Sequence, residues 1–124
     1  MHLALVTAAL RKPGDVAIGI SHSGLTSETI HALTVAREAG AMTVALTNSP
    51  DSPITEVADA VLTTQARESP YRMGAMSSRI AQLAVVDFVF VRVAQRRHED
   101  VADPLRRTFE VTASHKVAAR KRRD

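Results

Sequence analysis

The sequence predicts an α/β fold, a doubly wound parallel sheet flanked by helices. Three observations carry that expectation. Short apolar runs alternate with stretches of helical period, the pattern of parallel strands joined by right-handed crossovers. A hydroxyl-rich turn, Ser21-His22-Ser23-Gly24-Leu25-Thr26-Ser27-Glu28, separates one apolar run from the helical stretch after it. A long and almost wholly apolar helical stretch closes the series.

Taken in order, Leu3, Val6 and Leu10 are spaced for one face of a helix that Pro13-Gly14 ends. Val16 to Ile20 is continuously apolar, as in a strand buried on both faces. Thr26 to Ala39 reads as a helix with Ile30, Leu33 and Ala36 inward and Gly40 closing it. Thr43 to Thr47 is a second strand, and Asn48 to Pro53 forms a loop rich in Asn, Ser, Asp and Pro. A short helical turn is expected at Ile54 to Val57 and a third strand at Ala60 to Thr63. From Gly74 to Arg96 the pattern is helical, and Leu83 to Val91 is apolar on every face apart from Asp87. Such a helix must be covered from more than one side, by the sheet and by a second copy of the chain. A last helix is expected from Asp103 as N-cap and Pro104, with Leu105 and Phe109 on one face.

At 124 residues the chain suits one domain with a modest core. Its 45% hydrophobic and 23% charged residues are ordinary for a globular protein. Cysteine is absent, which excludes disulfides and thiolate chemistry and suits a reducing cytoplasm. No signal peptide is expected, since Met1-His2-Leu3 leads directly into an amphipathic pattern. Leu83 to Val91 is too short to span a bilayer, so no membrane partner is expected. His2, His22, His31, His98 and His115 show no paired ligand spacing, so neither a metal nor a cofactor is expected. His31 reads as a surface partner of Glu28 three residues earlier. Residues 96–124 carry nine Lys/Arg against five Asp/Glu, a surplus of four in a chain of net charge +3. That tail, ending Arg120-Lys121-Arg122-Arg123-Asp124, has no interleaved aromatics and reads as a solvated terminus.

The chemistry lies in the turn. A strand that runs into a turn and then a helix converges backbone N–H groups and the positive end of the helix dipole on one point. Ser21, Ser23 and Thr26 would ring a single anion there, and Gly24 would let the backbone approach it. No Lys or Arg lies in the turn, so the guest expected is a phosphoryl group held by neutral donors. The same cluster can also serve as no more than an N-cap and a turn. In a parallel sheet, ligands sit at the carboxyl ends of strands, which gathers the turn, Thr47 and Asn48 around one mouth.

Ser-x-Ser-Gly-x-Thr-x-Glu after an apolar strand resembles the signature of SIS (sugar isomerase) domains, which bind phosphosugars. Gly14-Asp15-Val16-Ala17-Ile18-Gly19-Ile20-Ser21-His22-Ser23-Gly24 resembles, more narrowly, the SIS domain of RpiR-family bacterial transcriptional regulators. The similarity continues through Ala36-Arg37-Glu38-Ala39-Gly40-Ala41, Val44 to Asn48, Ala58 to Leu62, Glu68, and Arg72 to Leu83. Leu25 departs from it, since such regulators often carry a charged or polar residue there.

The resemblance implies a flavodoxin-like SIS fold, with residues 1–98 forming a partial phosphosugar-binding domain and 99–124 a C-terminal helix and basic tail. SIS domains normally begin with a strand, a Gly/Ser loop, a helix and another strand ahead of what this chain contains. That first strand normally pairs beside Val16–Ile20, which would otherwise present an open apolar edge. The chain is therefore expected to be amino-terminally truncated: a fragment, a gene started too late, or a chain completed by a partner. The helix-turn-helix through which RpiR regulators bind DNA is absent as well.

Three functions follow. In the first the chain senses a sugar phosphate for a carbohydrate-responsive regulator. Ser21, His22, Ser23, Gly24 and Thr26 hold the phosphate, Thr47 and Glu68 read the sugar, and the domain is a cytoplasmic homodimer or higher oligomer. It is then not an enzyme. In the second it is an aldose–ketose isomerase with Glu68 as the base. Against this, Arg72-Met73-Gly74-Ala75 lacks the histidine that enzymatic members often carry there. In the third it is a ligand-free dimerisation fragment.

Overall fold

The computed structural model describes residues 2–67, 76–97 and 106–111. The chain forms two compact units, Met1–Val86 and Asp87–Asp124. In the first, α1 (His2–Ala9) leads to β1 (Val16–Ile20), α2 (Ser27–Glu38), β2 (Met42–Thr47), α3 (Pro53–Glu56) and β3 (Ala60–Thr63). All strands are parallel in the order β1-β2-β3, with Ile18 beside Val44 and Leu46 beside Leu62. Helix α4 (Met76–Arg96) begins in the first unit and continues into the second.

Helix α2 holds the sheet. Leu33 packs with Ala45 and Ile54, and Ala17, Ile30, Val57 and Ala58 close around them. A Cβ on Gly19 would lie 2.6 Å from Leu33 Cδ1, so β1 can approach α2 this closely only without a side chain there. Gly40 stops the helix. Its φ of +92° lets Gly40 N–H reach the Arg37 carbonyl at 2.9 Å and Ala41 N–H the Ala36 carbonyl at 3.0 Å, a Schellman closure.

At the amino end of the strands, Asp59 accepts from Thr43 N–H at 2.8 Å and Thr43 Oγ1 at 2.9 Å. Arg37 Nε of α2 stands 3.4 Å from the same carboxylate. The Thr43 amide first, then its hydroxyl, and then the Arg37 charge hold the Asp59 carboxyl below its ordinary pKa.

One sequence expectation, for β1, is corrected. In α1 the apolar residues Leu3 and Val6 are exposed, as is Leu10 just after it, and the helix docks through Ala8 against Ala36 and Ala41. Small residues permit a close helix contact that leucines at the same place would prevent. β1 is not buried on both faces: Val16, Ile18 and Ile20 remain 54%, 51% and 45% exposed. The reason is that α2 covers only the face carrying Ala17 and Gly19, and Val16, Ile18 and Ile20 stand on the opposite face.

Within the first unit, α4 buries Ser78 and exposes Ile80 and Leu83. Within the second, Phe88, Phe90, Val91 and Val93 are exposed. Residues 106–111 are helical, with Arg106 and Glu110 paired at 3.8 Å and Phe109 exposed. Asp103, Pro104 and Leu105 lie outside the described residues.

Candidate anion site at the carboxyl end of the sheet

The chain leaves β1 at Ser21, whose N–H still bonds the Leu46 carbonyl at 3.0 Å as if the strand continued. It then turns sharply. Gly24 N–H returns to the Ser21 carbonyl at 3.2 Å and to Ser21 Oγ at 3.1 Å. Ser21 Oγ also lies 2.9 Å from Thr26 Oγ1, so one buried hydroxyl ties both limbs of the turn together. Ser23 Oγ accepts from Leu25 N–H at 3.2 Å and is exposed.

Thr26 is the N-cap of α2, with extended φ and ψ of −70° and 104°, yet its side chain makes no cap bond. The first N–H groups of a helix have no intrahelical partner. Of these, Thr29 N–H bonds the Thr26 carbonyl at 3.1 Å; Glu28 stands in the first helical turn, and no Lys or Arg lies between Ser21 and Glu28.

A second loop braces the first from below. The His22 carbonyl accepts from Asn48 N–H at 3.0 Å and from Thr47 Oγ1 at 3.2 Å. Thr47 is fully buried, and its hydroxyl also accepts from Ser49 N–H at 3.2 Å. Asn48 Oδ1 takes Ala66 N–H at 2.7 Å and the Thr64 hydroxyl at 3.2 Å, which draws in the segment after β3. Gly24 has φ +69° and lies directly on Ser52, so any Cβ there would collide with the Ser52 side chain. Ser52 is itself buried and donates to the Ser49 carbonyl at 2.6 Å.

The structure therefore brings Ser21, His22, Ser23, Gly24, Thr26 and Thr47 to one place. Glu68 lies outside the described residues. His22 Nδ1 is buried with no hydrogen-bond partner among the described residues, and this side chain has no role in the network beneath the turn. The residues sequence reasoning passed over are Ser52 and Thr64, and it placed Asn48 at the mouth without a role. The only signal was the polar Asn48–Pro53 loop; which hydroxyl supports which turn depends on tertiary contact.

The model of the SIS domain family matches residues 4–92. The chain belongs to the SIS domain family. Among curated relatives, the SIS chain is 47% identical over 116 residues to an uncharacterized HTH-type transcriptional regulator of Caldanaerobacter subterraneus, covering 94% of this chain and 41% of that one. It is 36% identical over 107 residues to the HTH-type transcriptional regulator RpiR of Escherichia coli K12, covering 86% of this chain and 36% of RpiR. The chain thus spans about two fifths of the length of the curated regulators it matches. Among solved structures, Vibrio vulnificus NanR in complex with ManNAc-6P superposes with a TM-score of 0.80 at 30% identity, over 94% of this chain and 44% of NanR. The sugar isomerase domain of an RpiR transcription factor from Sphaerobacter thermophilus gives 0.71 at 30% identity, over 87% and 58%. This SIS domain is of the type found in RpiR-family transcriptional regulators, and no helix among its described residues is long and apolar enough to cross a membrane.

Proposed function

We propose that this SIS domain senses a sugar phosphate, holding its phosphate at the turn between β1 and α2. The observation that carries the reading is that the Ser21 and Thr26 hydroxyls meet at the start of α2, where no side chain caps the helix, with the exposed Ser23 in the same turn. Ser21 Oγ accepts from Gly24 N–H and can donate to Thr26 Oγ1, which frees the Thr26 hydroxyl to donate outward. Ser23 is exposed, and because its Oγ accepts from Leu25 N–H its hydroxyl proton is free to be donated to the anion. In this reading His22 and Ser23 contribute backbone, and Gly24 contributes the tight turn itself, since its N–H is held by Ser21. Thr47 is buried under the His22 carbonyl, and in this reading it positions the turn from beneath. Glu68 remains the candidate for reading sugar hydroxyls.

NanR, which superposes on this chain, was solved with ManNAc-6P, and this supports a phosphorylated sugar as the ligand class. The names of the curated relatives favour regulation over catalysis. Occupancy would then be read out through a DNA-binding region outside this chain, in a cytoplasmic oligomer, by shifting a two-state equilibrium. Residues 1–98 form the binding domain in this proposal, and 99–124 are an appended helix and tail.

Isothermal titration of the purified chain tests the reading, with hexose 6-phosphates, N-acetylhexosamine 6-phosphates, the same sugars unphosphorylated, and inorganic phosphate. Binding confined to phosphorylated sugars and abolished by Ser21→Ala/Ser23→Ala in a folded variant is expected. Binding of unphosphorylated sugars with equal affinity, or full affinity in the double variant, overturns it.

A further inference from the structure

One peptide unit joins the turn after β1 to the loop beneath it. The His22 carbonyl accepts from Asn48 N–H at 3.0 Å and from Thr47 Oγ1 at 3.2 Å. In a planar trans peptide the carbonyl and the following N–H point opposite ways. Two donors on that carbonyl therefore fix Ser23 N–H so that it points away from Thr47 and Asn48. Ser23 N–H finds no acceptor among the described residues. Hydrogen bonds accepted at a carbonyl also polarise its peptide and make the N–H a stronger donor. The Ser23 amide is thus aimed and strengthened from beneath.

Asn48 is held from its other end as well. Ala66 N–H can only donate, so the carboxamide atom 2.7 Å from it is the oxygen, which also takes the Thr64 hydroxyl at 3.2 Å. Thr64 is buried, and its N–H bonds the Thr47 carbonyl at 2.9 Å. Asn48 therefore makes one bond to the turn with its backbone and two to residues 64–66 with its side chain. Glu68 follows Ala66 by two positions in the sequence.

We propose, on the reading of the turn as a phosphate site, that Asn48 is its positioning residue and couples its occupancy to the segment after β3. An anion that accepts from Ser23 N–H polarises the same peptide, which strengthens the bond from Asn48 N–H to the His22 carbonyl. That bond steadies the Asn48 backbone, and the steadied backbone holds the carboxamide oxygen against Ala66 and Thr64. In the other direction, residues 64–66 in place fix Asn48 and keep Ser23 N–H aimed. Such coupling is reciprocal: ligand favours the closed segment by the factor with which the closed segment favours ligand.

NMR titration and amide hydrogen exchange of the chain with N-acetylmannosamine 6-phosphate, and separately with inorganic phosphate, test this. Saturation should shift the Ser23 amide and slow exchange at Ala66 N–H about fivefold or more. That slowing should exceed any at Thr43 N–H, which bonds Asp59 at the amino end of the sheet and reports global stabilisation. Asn48→Ala should weaken binding by the same factor and abolish the ligand's effect on Ala66. Thr64→Val removes one donor to the carboxamide and no bond of the turn. It should weaken binding in the parent chain and change nothing in the Asn48→Ala background. A Ser23 shift with Ala66 slowed no more than Thr43, or parent affinity in Asn48→Ala, overturns the coupling and leaves the phosphate reading standing. Affinity lost in Asn48→Ala and unaltered in Thr64→Val assigns Asn48 a direct contact with the ligand and overturns the positioning role. A Ser23 amide that neither probe moves overturns the phosphate reading and the coupling with it.

Discussion

The two ends of this small parallel sheet are held by different chemistry. At the amino end a carboxylate does the work: Asp59 gathers the amide and hydroxyl of Thr43 and the guanidinium of Arg37. At the carboxyl end no charge takes part, and Ser21, Thr26, Thr47, Asn48, Ser52 and Thr64 brace two loops with neutral groups. In the proposed reading the difference separates stability from recognition. A charged clamp is satisfied by its own partners and has nothing left for a ligand. Neutral hydroxyls can each donate and accept, so a network of them supports a turn and still re-aims donors at an incoming anion. With no Lys or Arg in the turn, the phosphate affinity proposed for it would come from dipoles and hydrogen bonds, which reward one geometry.

Substitutions can break that contrast, and the largest effect belongs to Gly24. Gly24→Val forces a β-branched residue to φ +69° and drives it into Ser52. Chemical denaturation should show a loss of about 2–5 kcal/mol, summing the left-handed backbone and the overpacking. Ser21→Ala comes next. It removes the acceptor of Gly24 N–H and the partner of Thr26 in a buried position, and the same measurement should lose about 1–3 kcal/mol. Sugar-phosphate binding should fall with it.

Asp59→Asn acts at the other end and should leave ligand affinity unchanged. Its signature is in pH. The folded carboxyl titrates below its unfolded value, so its stabilisation is fully present above the unfolded pKa of about 3.9. It is lost as pH falls through the lower folded value. Thermal melts should therefore place the variant below the parent at neutral pH, with the gap closing only in strong acid. Ser23→Ala should have the smallest effect on the fold, within about 0.5 kcal/mol, because the residue is exposed. If Ser23 donates to phosphate, the same change should still weaken binding about tenfold or more, the worth of a hydrogen bond to a charged group. A variant that loses stability and keeps affinity would reverse the assignment of the two roles.

Much of this was legible in the sequence because strand and helix limits are local. Val16–Ile20 and Ala60–Thr63 are apolar runs between turn residues, and both fall where the sequence placed them. Helix α2 is closed by Gly40 as expected, while Thr26, read as its first residue, stands at the N-cap position without a side-chain cap bond. Exposure was not legible. An apolar run reads the same whether a helix covers one face of the strand or both, so Val16, Ile18 and Ile20 were expected inside. The period of Leu3, Val6 and Leu10 likewise marked a helix face without saying which face would be covered, and Ala8 makes the contact. The hydroxyls of the turn were readable as a cluster. That Ser21 braces the turn, that Thr47 sits beneath it and that Gly24 rests on Ser52 are contacts between loops far apart in sequence, which no local pattern encodes.

An amide-resolved NMR titration of the chain with N-acetylmannosamine 6-phosphate tests the central claim most directly. The account predicts saturable shifts at Ser21 through Thr29 and at Asn48, with Thr43 and Asp59 unmoved and the shifts absent in Ser21→Ala/Ser23→Ala. Shifts centred on Thr43 and Asp59, or saturable binding that leaves the Ser21–Thr29 amides unperturbed, would contradict it.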